Sequence, residues 1–222
     1  MTTKPYIAPS DLTFGFSGCH RCLWLKYNAG LSAPMQMPLV GTLSALQEAR
    51  FRSAPTSQMS RALAVGSVVD AGAWVVSQPI VIDGEPTGFR IRGKYDLLVG
   101  FEDGTYGVID CKVSASTDDK AAFYQPQLEA YAFALESPES GAPRTVSATG
   151  LLVWTPNSVT GDPESGYGFA VDAFWQPVPR DPDSLSGLLA RFIAVITAPE
   201  APTAAKECRP CDYVRARGEL GL

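Results

Sequence analysis

The stretch GKYDLLVGFEDGTYGVIDCK, residues 93–112, decides the predicted fold because it contains two strand patterns separated by a turn signal. Polar and apolar residues alternate over residues 89–99 and again over residues 106–113, which is the two-residue period of a β-strand. Between them, Glu102, Asp103 and Gly104 supply a turn in which glycine can adopt a positive φ. The sequence therefore predicts an antiparallel hairpin. One predicted face of its first strand carries Phe89, Ile91, Gly93, Tyr95, Leu97 and Val99, and the other carries Arg90, Arg92, Lys94, Asp96 and Leu98.

The length of the turn predicts which residues of the hairpin are paired. A three-residue loop pairs Phe101 with Thr105, and the same register then sets Asp96 directly opposite Asp110. Opposed residues have Cβ atoms about 4.5–5.5 Å apart, which allows two carboxylates to bind the same divalent cation. Lys112 lies on that face one pleat further along.

This group of two carboxylates and a lysine admits two interpretations. If the face is buried, the like charges repel each other, and a metal ion explains why they lie together. If the face is exposed to solvent, the same residues form an ordinary cross-strand ladder of Asp and Lys side chains.

The rest of the chain predicts an α/β protein with a mixed central β-sheet flanked by helices. In YQPQLEAYAFALE, apolar residues recur with helical spacing from Pro126 onward. We expect one domain over residues 1–222, with a core of about residues 40–197. Further helices are predicted at 41–52 (with Leu43, Leu46 and Gln47 on one side), 60–76 and 184–196, strands at 145–156 and 168–178, and loops at 31–38, 137–145, 156–167 and 198–205.

The composition suggests a soluble cytoplasmic protein without a membrane segment. Asp70 and Arg191 interrupt the longest apolar stretches, and the first residues lack the apolar core of a signal peptide. The net charge of −5 argues against a broad nucleic-acid surface. A local one remains compatible with it, because Arg90, Arg92 and Lys94 lead directly into the hairpin motif.

Four of the five cysteines form two C-x-x-C pairs, Cys19 with Cys22 and Cys208 with Cys211. In a reducing compartment this spacing favours a metal over disulfides, and four thiolates suit either tetrahedral zinc or an iron–sulfur cluster. The site would join residues 17–30 to residues 206–215. The remaining cysteine, Cys111, points away from the Asp110 face and is predicted to be a small buried core residue.

The order Gly93-x-x-Asp96, Asp110-x-Lys112 and Gln127-x-x-x-Tyr131 resembles the PD-(D/E)xK nuclease superfamily. Within it, the chain is similar to the RecB-like branch that includes the CRISPR-associated Cas-four-type nucleases and the AddB nuclease domain. The motifs cover residues 85–155, and the cysteines extend the resemblance to both ends of the chain.

That resemblance implies a restriction-endonuclease-like core that hydrolyses DNA with Mg²⁺ or Mn²⁺. It assigns Asp96, Asp110 and the backbone carbonyl of Cys111 as metal ligands. Lys112 would orient the attacking water and stabilise charge on the phosphorane. Gln127 and Tyr131 would contact the scissile phosphate or the water, and Arg90, Arg92 and Lys94 would form a local phosphate track.

The chain departs from the pattern of these nucleases at two points. They often carry a metal-binding histidine on a helix before the first strand, whereas here Asp70 occupies that place and Glu48 is a second helical carboxylate. They also commonly bind a 4Fe-4S cluster through one N-terminal and three C-terminal cysteines, whereas here the division is two and two. We favour the cluster, with structural Zn²⁺ as the alternative.

Three functions are compatible with these patterns. The first is a DNA exonuclease acting on single strands or DNA ends, mainly 5′ to 3′ by resemblance, with partners in a CRISPR, repair or phage recombination complex. The second is a catalytically silent module of the same fold that binds nucleic acid or other proteins. The third is a metal-clasped adaptor that never contacts nucleic acid, which the acidic pI of about 4.9 supports.

Overall fold

A mixed β-sheet with helices on both faces forms the centre of the protein, as the sequence predicts. The computed structural model describes residues 5–33 and 39–220. The strands are β1 (Tyr6–Ile7), β2 (Gly66–Val76), β3 (Val81–Ile82), β4 (Glu85–Pro86), β5 (Arg90–Phe101), β6 (Tyr106–Val113), β7 (Val146–Asp162) and β8 (Gly166–Val178). The α-helices are α1 (His20–Asn28), α2 (Val40–Phe51), α3 (Ala121–Glu136), α4 (Pro182–Ile196) and α5 (Arg209–Glu219), with a π-helical turn at Asp11–Gly15 and a 3₁₀ turn at Thr56–Gln58.

The six strands of the main sheet run in the order β1-β5-β6-β7-β8, and β2 pairs with β5 along its other side. β5 is antiparallel to β2 and β6, whereas β6 is parallel to β7. Parallel neighbours need a crossover connection, and α3 supplies it. The mixed sheet therefore follows from a hairpin followed by a β-α-β unit.

The sheet buries a different hydrophobic cluster on each face. The larger cluster joins Ile91, Leu98 and Val108 to α3, α4 and α1, through residues such as Leu128 and Phe192. The smaller cluster packs against α2 and the 3₁₀ turn, and its members include Phe51, Met59, Leu97, Ile109, Cys111 and Leu152. Cys111 thus packs in the core on the side away from α3, as the alternation of β6 predicts.

The predicted faces of β5 hold only in part. Ile91 and Tyr95 pack in the larger cluster together with Leu98, whereas Leu97 and Val99 pack in the smaller one. The alternation of side chains along β5 therefore shifts from one face of the sheet to the other between Tyr95 and Leu97. The partner strand changes in the same region, because β6 pairs with β5 over Leu97–Gly100, and β1 pairs with it at Arg90 and Ile91.

The predicted helix over residues 60–76 is wrong, because residues 66–76 form β2. Its β-branched and aromatic side chains suit a strand, and Gly72 has a φ of +66°, which is incompatible with a helix interior. In α2, predicted at 41–52, Gln47 is fully buried but Leu46 is 57% exposed. The amide of Gln47 anchors α2 on the sheet by donating to the carbonyl of Leu152 at 2.8 Å.

The other boundaries differ in detail. The loop predicted at 156–167 is wrong, because β7 continues to Asp162 and β8 begins at Gly166. This ribbon leaves the core and is exposed on both faces, so it lacks the polarity signal of a half-buried strand.

α3 begins at Ala121, ahead of Pro126. Of the loop predicted at 31–38, residues 34–38 lie outside the described residues. No helix in the described part of the chain is long and apolar enough to span a membrane.

An arginine in the connection between β8 and α4 links several elements. The guanidinium of Arg180 contacts the carboxylate of Glu129, whose side chain is only 2% exposed, and donates to Glu136 at 3.1 Å. It also contacts the carbonyl of Val146 at the start of β7. The ion pair therefore connects α3 to both β7 and α4.

We expect Arg180→Ala to lower the free energy of unfolding by about 3–5 kcal/mol, because it leaves the buried Glu129 carboxylate without its cation. Urea denaturation measures the change. Arg191→Ala, at an exposed position of α4, is the matched control and should change stability by less than about 0.5 kcal/mol. Equal stability of the two variants would show that the ion pair is not a structural link.

Candidate active site

The candidate site lies at a gap in the main sheet, where β5 parts from β6. Beside this gap, the carbonyl of Lys94 accepts a hydrogen bond from the Tyr131 hydroxyl at 2.7 Å instead of from a strand. Gly93 makes room for that ring, since a Cβ there would lie 2.8 Å from it and 2.7 Å from Pro9. The glycine at position 93 thus has a steric reason.

The turn of the hairpin has the predicted length. The N–H of Phe101 donates to Thr105 at 2.9 Å, Gly104 has a φ of +83°, and the strands pair as Gly100 with Tyr106 and Leu97 with Ile109. Asp96 follows one residue beyond the last of these pairs. Its Oδ2 accepts a hydrogen bond from the N–H of Cys111 at 2.7 Å, so the carboxylate takes the place of the strand backbone.

The Asp110 carboxylate lies in the same region and is buried. Its Oδ1 accepts a hydrogen bond from Gln127 Nε2 at 3.0 Å, and its Oδ2 lies 2.5 Å from Lys112 Nζ. Lys112 Nζ also lies 4.9 Å from the centre of the Tyr124 ring. Burial lowers the pKa of Lys112, but the nearby Asp110 outweighs it and the net shift is upward, which keeps the ammonium charged.

The electrostatics show that Asp96 is affected both by burial and by the charge of Asp110. Burial, and then the charge of Asp110, raise the pKa of Asp96 to about 7, against the opposing effects of Lys112 and the Cys111 N–H. The Tyr131 hydroxyl has a raised pKa through burial and the charges of the same two carboxylates. Oxygen donors that carry excess negative charge in a buried site suit a hard divalent cation. The residues therefore fit Mg²⁺ or Mn²⁺.

Of the two candidate helical carboxylates, Glu48 is the one whose charge acts on Asp96. Its charge raises the pKa values of both Asp96 and Cys111, and its Oε2 lies 3.6 Å from Lys94 Nζ. Gly72 permits this approach, because a Cβ there would lie 2.7 Å from Glu48 Oε2.

Asp70 is engaged elsewhere. It lies on strand β2, where its Oδ2 accepts from the Tyr95 hydroxyl at 2.9 Å and its Oδ1 from the N–H of Ala71 at 2.8 Å. The helical setting assumed for Asp70 is wrong because the 60–76 segment contains a strand.

An aromatic cluster beside Lys112 is absent from the sequence-based predictions. The rings of Phe14, Phe123 and Tyr124 contact one another edge to face, with centroids 5.1 to 5.7 Å apart. Phe14 is 41% exposed and Phe123 is 44% exposed. Helical spacing places Tyr124 three residues before Gln127 and seven before Tyr131, so this periodicity could have identified Tyr124. The contribution of Phe14 depends on the tertiary fold.

The predicted basic row lies along β5, but its members already have partners. Arg90 Nε lies 3.5 Å from Glu139 Oε1, and Lys94 pairs with Glu48. The guanidinium of Arg92 lies over the rings of Tyr6 and Trp74, at 5.2 and 5.1 Å from their centres. Trp74 is 64% exposed, so this part of the row combines a cation with an open aromatic face.

The four paired cysteines meet as predicted and join the N- and C-terminal segments. Cys22 Sγ lies 3.5 Å from the sulfurs of both Cys208 and Cys211, and Cys19 Sγ lies 3.9 Å from that of Cys211. Within residues 5–33 and 39–220, this is the one group of at least three His, Cys, Asp or Glu side chains whose ligand atoms all lie within 4.8 Å of one another. Four thiol sulfurs at this spacing can hold a metal.

The raised pKa of Asp96 predicts how stability depends on pH in the absence of a divalent cation. Its folded-state pKa of about 7 exceeds the usual 3.8, so between these values the folded state binds more protons than the unfolded one. The free energy of unfolding should therefore fall as the pH rises from about 4 to about 7. Asp96→Asn keeps an oxygen for the Cys111 N–H and should remove this contribution.

Thermal unfolding of EDTA-treated protein across this pH range measures the effect. We expect Asp96→Asn to gain stability over the wild type as the pH rises, and the exposed Asp172→Asn to follow the wild type. Parallel curves for all three proteins would contradict the raised pKa of Asp96.

Comparison with known proteins gives a consistent result. A family model described as the PD-(D/E)XK nuclease superfamily matches residues 27–216. A solved structure titled "Crystal structure of SSO0001" is similar with a TM-score of 0.53 and 15% identity, covering 97% of this chain and 87% of the other. At that identity the likeness concerns the fold alone. No curated protein sequence matches the chain significantly.

Proposed function

The chain belongs to the PD-(D/E)XK nuclease superfamily, and we propose that it is a Mg²⁺- or Mn²⁺-dependent deoxyribonuclease with Asp96, Asp110 and Lys112 at its catalytic centre. The observation that carries the proposal is the meeting of two mutually repelling carboxylates with a charged lysine at a gap in the sheet. We further propose that residues 1–222 act as one catalytic domain in the cytoplasm.

In this proposal Asp96, Asp110 and the carbonyl of Cys111 would hold the cation, and Glu48 from α2, which pairs with Lys94, adds negative charge near the site. When bound, the cation would supply Lewis-acid polarisation of the scissile phosphate. Gln127 orients Asp110 through its amide hydrogen bond. The Tyr131 hydroxyl donates to the carbonyl of Lys94, so this carbonyl beside the gap already has a partner.

Lys112 has the charge-stabilising role. Its ammonium is held between Asp110 and the face of Tyr124, and it remains protonated because its pKa is raised. A fixed positive charge at this position orients the attacking water and stabilises the negative charge that develops on the phosphoryl oxygens.

Single-stranded DNA or DNA ends are the proposed substrate, cut in an exonucleolytic mode with 5′ to 3′ polarity by analogy with the RecB-like nucleases. The open rings of Phe14 and Phe123 next to Lys112 support this choice, because unpaired bases stack on aromatic side chains whatever their sequence. The same analogy extends to partners in CRISPR adaptation, repair or phage recombination.

The first test is cleavage of 5′-labelled single-stranded DNA with Mn²⁺. We expect Lys112→Ala to reduce the cleavage rate by roughly 10²–10³-fold, because it removes a preorganised cation from the developing charge. Asp110→Asn should abolish Mn²⁺ binding in titration calorimetry as well as cleavage. Arg61→Ala, which removes an exposed cation, is the control and should retain activity.

The alternative is a catalytically silent module that binds nucleic acid or protein partners, and the carboxylate in place of the usual helical histidine favours it. It would be supported if wild-type protein bound DNA in a salt-sensitive way but cut no single-stranded, duplex or flap DNA with either metal. Absence of DNA binding would instead support the adaptor function.

The aromatic cluster gives a separate prediction for substrate binding. Phe123→Leu should raise the KM for single-stranded DNA by about 5- to 160-fold with little change in kcat, because stacking of a base contributes about 1–3 kcal/mol. The matched control is Phe169→Leu on the exposed β7-β8 ribbon. An unchanged KM for both variants would show that the aromatic cluster does not contact the DNA substrate.

A further inference from the structure

We infer that the four paired cysteines bind a single tetrahedral zinc ion, and that the site does not fit the 4Fe-4S cluster implied by the resemblance to RecB-like nucleases. The inference concerns the joining of the chain ends and is independent of the proposed nuclease activity.

The distances between the sulfur atoms carry the argument. They are 3.5, 3.5 and 3.9 Å for three of the pairs, and all four sulfurs lie within 4.8 Å of one another. Zinc–sulfur bonds of about 2.3 Å in a tetrahedron place thiolates about 3.8 Å apart. The observed spacing is therefore that of four ligands around one ion.

Neither of the other two arrangements of four cysteines matches this spacing. In a 4Fe-4S cluster each thiolate binds a different iron, so the four thiolates must enclose eight cluster atoms and lie further apart than around one ion. A disulfide requires sulfur atoms about 2.0 Å apart, and all five cysteines are free thiols.

The backbone around the cysteines suits a negatively charged thiolate site. Cys19 is the N-cap of α1 and Cys208 is the N-cap of α5, so each C-x-x-C pair occupies the first turn of a helix. The positive end of each helix dipole favours thiolates there. In addition, the N–H of Ala205 donates to Cys19 Sγ at 3.4 Å.

The site has a clear structural task, which is to hold α5. None of the residues of α5, all within the described range, is buried, so the helix has no hydrophobic anchor of its own. α1, in contrast, buries Leu23 and Tyr27, and the Tyr27 ring contacts Phe192 of α4. A zinc ion would therefore attach an exposed C-terminal helix to an N-terminal helix that is fixed in the core.

The deciding measurement is metal analysis of wild-type protein purified without oxygen from iron-supplemented cells. We expect one zinc per chain, no acid-labile sulfide and no absorption near ~400 nm. About four irons and four sulfides per chain with a brown colour would overturn the inference, and so would protein that contains neither metal.

Variants test the ligands and the role of the site. Cys208→Ser should lose most of the zinc and make α5 sensitive to limited proteolysis, whereas Val214→Ser, at an exposed position on the same helix, should do neither. If Cys208→Ser fails to fold, replacing the metal of the wild-type protein with Co²⁺ tests the coordination instead. One equivalent of Co²⁺ should give the visible spectrum of tetrahedral thiolate coordination, and an octahedral spectrum would contradict the proposed zinc site.

Discussion

The repulsion between the carboxylates of Asp96 and Asp110 is the constraint on which the candidate site depends. The two groups share a partly dry region of the sheet, where burial and then the charge of Asp110 raise the pKa of Asp96 to about 7. Such an arrangement costs stability unless a cation is nearby. Lys112 offsets part of the charge, and a divalent cation would offset the rest. The same features that are unfavourable for folding therefore suit metal-dependent chemistry.

The gap in the sheet makes this arrangement possible. Where β5 leaves β6, backbone groups that would pair in a regular sheet need other partners. The Tyr131 hydroxyl donates a hydrogen bond to the carbonyl of Lys94, and the Asp96 carboxylate accepts one from the N–H of Cys111. Each of these side-chain hydrogen bonds replaces a bond between strands and brings a functional group to the gap. The irregularity of the strand and the composition of the site thus have one origin.

The chain ends add a second centre with different chemistry. The aspartate site offers hard oxygen donors, whereas the cysteine site offers four thiolates at helix N-termini. Oxygen donors favour Mg²⁺ or Mn²⁺, and thiolates favour zinc or iron. The two centres therefore differ in the ions that their donor atoms prefer.

Local signals in the sequence determined the hairpin register, the shared face of Asp110 and Lys112, and the pairing of the cysteines, because each depends on turn length, strand period or short spacing. The tertiary structure decided what depends on contacts between distant segments. It brought the charge of Glu48 rather than that of Asp70 near Asp96, placed Phe14 beside Phe123, and set the cysteine sulfurs at the spacing of a single ion. No local pattern encodes these features, since each requires packing between elements that lie far apart in the chain.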